Sequence, residues 1–173
     1  MAVAAMAHSA EKSPIKIGEI NSYSTIPQFT LPYKQGWQLA VEEINVAGGL
    51  LGRKVEVVSR DDAGKPEEAL RHAIELTSKE RVDVLAGGFL SNVGLALADH
   101  AQKNKRVFVA SEPLADAIVW EKGNRYTFRL RPSACLEQLL HALRLEPAQA
   151  AFIGDDLPDL AAMQCVEIGR AHV

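Results

Sequence analysis

Gly48-Gly49-Leu50-Leu51-Gly52-Arg53-Lys54-Val55 joins a helical pattern to an extended one with almost no linker. On its amino-terminal side, Tyr33 to Ala47 places Trp37, Ala40, Val41 and Ile44 on one face of a 3.6-residue period. On the other side, Lys54 to Arg60 reads as a strand. Paired glycines end the helix, and glycine alone reaches at little cost the positive φ that so tight a helix-to-strand turn requires.

The alternation continues outward in both directions. Ile15-Lys16-Ile17-Gly18-Glu19-Ile20 predicts a first strand. Downstream, Pro66 opens a helix at its first turn, with Ala69, Leu70, Ala73, Ile74 and Leu76 as its buried face. Val82 to Ala86, a helix from Asn92 to Lys103, Arg106 to Ala110, a short segment near Ala115 to Trp120, and Arg125 to Leu130 complete the run. Strands alternating with helices imply an α/β fold with a doubly wound parallel sheet. No internal repeat or low-complexity tract interrupts it.

Composition narrows the function classes. The 173 residues are 47% hydrophobic and 24% charged with a net charge of −3, an ordinary globular balance. There is no basic run and only 6% of residues are aromatic, so nucleic acid is not an expected partner. Cys135 and Cys165 leave most of the chain without a thiol and suggest neither a disulfide framework nor a zinc site. Ala5-Met6-Ala7, within residues 1–10, reads either as the remnant of a secretory signal or as a frayed alanine-rich tail.

In an open parallel sheet, ligands sit at the carboxyl ends of the strands. Three loops there are candidates: Asn21 to Pro32, Gly87 to Asn92, and Ser111 to Ala115. Tyr23 and Ser24 bring an aromatic face and hydroxyls to the first. Ser91 and Asn92 stand where a helix begins, so they either hold a carboxylate with hydroxyl and N–H donors or simply cap the helix. Ser111 and Glu112 follow the fourth strand, Glu112 being either a partner for a ligand ammonium or a solvated loop carboxylate. Asp61-Asp62 is expected to organise the turn before the next helix rather than perform acid/base work. His72 and His100 are expected on exposed helix faces, without metal-ligand spacing.

Residues 15–133 resemble the amino-terminal lobe of ABC-transporter solute-binding proteins of the leucine/isoleucine/valine type, the type I periplasmic binding proteins. The resemblance is carried by Gly36-Trp37 leading into Ala40-Val41-Glu42-Glu43-Ile44-Asn45, by the glycine-rich turn, by Asp61-Asp62, and by Arg125-Tyr126-Thr127-Phe128-Arg129 running into Arg131-Pro132-Ser133. It implies a solute-binding lobe over residues 11–133, a small ligand such as an amino acid, a permease partner, a periplasmic location, no enzymatic activity and no cofactor. It further implies that Ser91 helps hold the ligand's carboxylate and that the Ser111-Glu112 loop adds contacts. Glu112 departs from the small neutral residue expected there. A ligand-sensing domain of a receptor is a third possibility, with no signalling element attached.

Past Ser133 the pattern changes. Residues 134–166, with Ala150-Ala151-Phe152-Ile153-Gly154-Asp155-Asp156, resemble a fragment of a haloacid-dehalogenase-type phosphatase acting on 3-deoxy-manno-octulosonate 8-phosphate. That resemblance implies Asp155 as a Mg²⁺ ligand supported by Asp156 and Asp159. The nucleophilic D-x-D motif of such enzymes occurs nowhere in the chain, so a magnesium-dependent phosphatase is the weaker alternative function. Residues 167–173 resemble a translated sequencing adapter. The expectation is therefore a chimera of one lobe, a short appended α/β fragment and an artefactual tail.

Overall fold

The computed structural model describes residues 12–131 and Arg144. The elements run β1 (Ile15–Asn21), α1 (Pro27–Val46), β2 (Val55–Asp61), α2 (Pro66–Ser78), β3 (Val84–Gly87), α3 (Ser91–Asn104), β4 (Val107–Ala110), a 3-10 turn at Asp116–Ile118, and β5 (Thr127–Arg129). All five strands are parallel, in the order β2-β1-β3-β4-β5.

Consecutive residues of β1 face opposite sides of this sheet. At Gly18 an added Cβ would meet Leu76 of α2 and Leu85 of β3. The next residue, Glu19, bonds instead to Tyr23, whose hydroxyl lies beside Trp37 of α1. Thus α1 covers one face and α2 with α3 the other, the doubly wound arrangement expected of a single lobe.

The two faces are packed unequally. Ala69, Ala73 and Leu76 of α2 join Val93, Leu97, Ala98 and Ala101 of α3 over Ile20, Leu85 and Phe108, all essentially inaccessible. Ile74, expected in this core, is exposed instead. On α1 only Thr30 is buried; Trp37, Val41 and Ile44 are half-buried and Ala40 is exposed. Opposite α3, Phe128 is 54% exposed and Val107 37%, and no helix among the described residues covers them.

Three expectations need correction. The first loop is short, because α1 begins at Pro27 rather than Tyr33. Pro27 occupies the first turn, where a missing N–H costs nothing, and Pro32 lies inside the helix with Gln28 and Pro32 both exposed, leaving the unpaired carbonyl of Gln28 accessible to water. His100 is buried, with Nδ1 near the Asn104 carboxamide and no partner at Nε2. Burial lowers its pKa. His72 is half-buried, its Nε2 3.1 Å from the carbonyl oxygen of Asp61. Neither imidazole is solvent-exposed.

The glycine turn behaves as expected, with positive φ at Gly48, Gly49 and Gly52 and the N–H of Gly49 closing on the carbonyl of Ile44. A stricter requirement falls at Gly87, where φ is +108° and a Cβ would lie 2.1 Å from the carbonyl oxygen of Ile20. Gly87→Ala should therefore destabilise the lobe by about 3 kcal/mol. Gly36→Ala, on α1 with nothing within 4 Å of its Cβ position, should stabilise it by roughly 0.5–1 kcal/mol. Urea denaturation of both variants checks the pair, and equal stabilities would contradict the close approach of β3 to β1.

Candidate ligand-binding edge

The loops at the carboxyl ends of the strands meet. Phe29, in the first turn of α1, stacks on Phe89 of the β3–α3 loop with ring centroids 5.6 Å apart. Gly64, after β2, lies against Leu90 and Thr25. On the other side, Pro113 packs so tightly on α3 that a Cβ at Gly94 would fall 2.7 Å from it. Tyr33 and Ser111 share a hydroxyl hydrogen bond of 2.8 Å, and the Asn21 carboxamide donates to Glu112 Oε2. Four loops and the start of α1 form one edge.

At its centre is the amino terminus of α3. The cap position is Leu90, in extended conformation, and no side chain caps the helix. Ser91 is the first helical residue, so the plain capping role does not apply to it. Asn92 is exposed and its Oδ1 accepts only the N–H of the next residue, Val93, at 3.0 Å. The N–H groups of Ser91 and Asn92, at the start of a 14-residue helix, are thus presented at the sheet edge, with the helix dipole behind them.

Beside this positive end lies a buried acidic group. Glu112 is 8% exposed, and its carboxyl is pushed up by burial, against the opposing influence of the Asn21 hydrogen bond and the Arg131 charge. Its neighbour Ser111 is also buried. The solvated-carboxylate reading of Glu112 is therefore excluded by its surroundings. The structure brings Ser111 and Glu112 together with Tyr33 and Asn21, two residues the sequence reading did not single out.

Tyr23 and Ser24 are placed differently. The Tyr23 hydroxyl donates to Glu19 Oε2 at 2.8 Å, while Lys34 stands 4.7 Å from its ring centroid. Burial and the adjacent Glu19 raise the Tyr23 pKa beyond its ordinary range. Ser24 is exposed, and its backbone N–H is held by Asp61. Tyr23 thus turns under α1 and Ser24 toward β2, leaving Ser91, Asn92, Ser111 and Glu112 as the group around α3. Asp61 and Asp62 organise turns as expected: Asp61 accepts the N–H groups of Ser24 and Ala63, and Asp62 accepts the Ser22 hydroxyl and the N–H of Gly64. Burial raises the pKa of Asp62; at Asp61 burial is outweighed by the backbone hydrogen bonds, which lower it.

The residue most clearly overlooked is Glu19. It is 2% exposed in the middle of a central strand, with Oε2 bonded to Tyr23 and to Ser59 at 2.7 Å. Burial raises its pKa to about 7 against the hydrogen bonds from Ser59 and Tyr23, and the charge of Glu112 adds to the rise. The signal was present in the sequence as a carboxylate in the middle of a strand, directly before the apolar Ile20. Among the described residues no group of His, Cys, Asp and Glu is arranged to hold a metal ion. Asp155, Asp156 and Asp159, like Cys135 and Cys165, lie outside the described residues.

A family model described as periplasmic binding protein matches residues 14–164. The chain belongs to that family. Its match continues past Ser133 into the stretch that resembled a phosphatase. A Leu/Ile/Val-binding protein homolog of Brucella melitensis is 30% identical over 126 residues, covering 73% of this chain and 31% of that protein. An amino acid binding protein of Pseudomonas aeruginosa is 37% identical over 98 residues, covering 57% and 26%. Among solved structures, the branched-chain amino acid transporter substrate binding protein LivJ of Streptococcus pneumoniae, in complex with isoleucine, superposes with a TM-score of 0.64 at 29% identity, over 70% of this chain and 35% of that one. The chain thus spans about a third or less of the length of these relatives.

The buried Glu19 makes the lobe's stability depend on pH. Its carboxyl holds a proton in the folded state at pH values where the unfolded chain has released it, so stability falls as pH rises from about 4.5 through about 7 and levels above. His100, whose pKa is lowered, acts oppositely, losing stability as pH falls. Urea midpoints at pH 5 and pH 8.5 for the parent and Glu19→Gln isolate the first effect. The parent should lose more stability over that interval than the variant, and parallel profiles would contradict it.

Proposed function

We propose that residues 11–133 form the ligand-binding lobe of an extracytoplasmic solute-binding protein that presents a small amino acid to an ABC permease. The observation that carries this reading is the pairing, on one sheet edge, of an uncapped α3 amino terminus with the buried carboxyl of Glu112. A zwitterion needs both: N–H groups and a positive dipole end for its carboxylate, and an acid for its ammonium. Ser91 adds a hydroxyl, Asn92 an N–H, and Ser111 with Tyr33 flank Glu112. The stacked Phe29 and Phe89 offer an apolar wall for the ligand's side chain.

The similarity to leucine/isoleucine/valine-binding relatives supports an aliphatic amino acid and a role in binding rather than catalysis. Those relatives give no support to the phosphatase alternative. Small-molecule sites bury about 70% or more of their ligand, so a single lobe binds weakly, and a second surface closing over this edge would complete the site.

Titration calorimetry with L-leucine, L-isoleucine and their deaminated acids tests the assignment. Ser91→Ala should weaken both classes by about tenfold to a hundredfold, the loss of one charge-assisted hydrogen bond of about 1.5–3 kcal/mol. Glu112→Gln should weaken the amino acids by more than about tenfold and leave the deaminated acids nearly unchanged. Equal losses for both classes would remove Glu112 from ammonium recognition.

A further inference from the structure

The loop that carries Glu112 owes its shape to its neighbours. Residues 111–115 form neither helix nor strand between β4 and the 3-10 turn at Asp116–Ile118, so their path is set by contacts from outside. Some come from β3, α1 and α3: Ser111 bonds to the carbonyl of Gly87 through its N–H at 3.3 Å and to Tyr33 through its hydroxyl at 2.8 Å, and Pro113 abuts Gly94. Others come from the end of β5. Arg129, opposite Ala110 in the β4–β5 ladder, donates from Nη1 to the carbonyl of Ala115 at 3.0 Å, to that of Leu114 at 3.3 Å and to Asp116 Oδ1 at 3.4 Å.

The Arg129 contacts are shielded from water. Its side chain is 8% exposed and that of Asp116 22%, and hydrogen bonds to a permanently charged guanidinium are about twice as strong as neutral ones. The carbonyl of Ala115 also accepts the N–H of Ile118 at 3.2 Å, so one carbonyl ties Arg129 to both the loop and the 3-10 turn. Between Leu114 and Glu112 stands only Pro113, whose ring fixes its own φ and disfavours helical backbone at Glu112. A displacement at Leu114 therefore reaches Glu112 with few rotations to absorb it. The Glu112 carboxyl must meanwhile meet the Asn21 carboxamide, and Arg129 holds the backbone where that bond forms.

We propose that Arg129 is a positioning residue for ligand recognition: by holding the Leu114 and Ala115 carbonyls it fixes the β4 loop so that Glu112 meets the ligand's ammonium, and it thereby sets the preference for amino acids over acids that lack the ammonium. The inference rests on the amino acid reading above. Arg129 acts through the loop, with its guanidinium turned to the backbone of residues 114–116. Lysine keeps the charge but ends one bond short of Nη1 and lacks the planar fork, so it cannot reproduce the same set of bonds. Asp116→Asn is the milder change, removing the charge of one acceptor and leaving both carbonyls in place.

The test is the ratio of affinities for L-leucine and for its deaminated acid, measured by titration calorimetry on the parent, Arg129→Lys and Asp116→Asn, each checked for folding by circular dichroism. The parent should favour L-leucine by more than about tenfold. In Arg129→Lys that ratio should fall by about threefold to tenfold, and in Asp116→Asn by about twofold to threefold, the step expected when one charge-assisted contact is weakened. A role confined to stability would weaken both ligands alike and leave the ratio where it was. A parent preference for L-leucine that persists undiminished in the variants would overturn the role of Arg129 and leave the amino acid reading standing. Should Arg129→Lys fail to fold, Asp116→Asn decides alone, an unchanged ratio again overturning the proposal. No preference for L-leucine in the parent would overturn the amino acid reading and this inference with it.

Discussion

At Gly87 the backbone of β3 passes so near the carbonyl of Ile20 that no side chain fits between them, and the N–H of the following Gly88 closes on that same carbonyl at 2.8 Å. This contact pins the carboxyl end of β3, the central strand of the sheet, to its neighbour β1. Much at the candidate site follows from it. Since β3 ends there in a left-handed turn, the chain reaches Leu90 in extended form and starts α3 over the strand ends rather than beyond them. Since Ser111 N–H bonds back to Gly87, the β4 loop is drawn to the same spot, and Pro113 presses on Gly94. A helix terminus and an acid-bearing loop are thereby placed side by side by backbone geometry.

The opposite face works by different means. The α2–α3 layer is apolar and closed, where burial at roughly 25 cal/mol per Å² dominates. Beneath α1 the contacts are polar: Trp37 to Tyr23, Tyr23 to Glu19, Glu19 to Ser59, Tyr33 to Ser111, and the Asn45 carboxamide to both the N–H and the carbonyl of Val55. Such a network is stable when every member is satisfied, and Glu19 Oε1 is not. The unsatisfied group stands two residues before Asn21, whose carboxamide holds Glu112 at the proposed binding edge.

The helices were legible in the sequence where period and punctuation agreed: Pro66 at the start of α2, paired glycines after the end of α1, and apolar residues three and four apart along α2. So were the β1–β4 strands, each within two residues. The start of α1 was not, because Pro32 reads as a helix breaker unless its partner carbonyl is known to face water. His100 was misplaced because polar side chains on amphipathic helices usually lie outside, and a bond to Asn104 four residues on is compatible with burial. The edge was read in part. Ser91, Asn92, Ser111 and Glu112 followed from the rule that ligands sit at strand ends, whereas the Asn21–Glu112 bond joins residues 91 apart and leaves no local trace. Tyr23 was legible as an edge residue by position, but the carboxylate that turns it inward, Glu19, looked like one more member of a strand.

The central claim is that the α3 amino terminus and the Ser111-Glu112 loop jointly receive the ligand. Amide chemical shifts followed during titration with L-leucine test it most directly, because every backbone N–H except those of proline reports on its own position. The account predicts the largest displacements at Gly88, Ser91, Asn92 and Val93 and at Ser111 and Glu112, with little change at the amino-terminal sheet edge around Ser13, Lys54 and Glu56. Displacements concentrated at that opposite edge, with Ser91 and Glu112 unmoved, would contradict it.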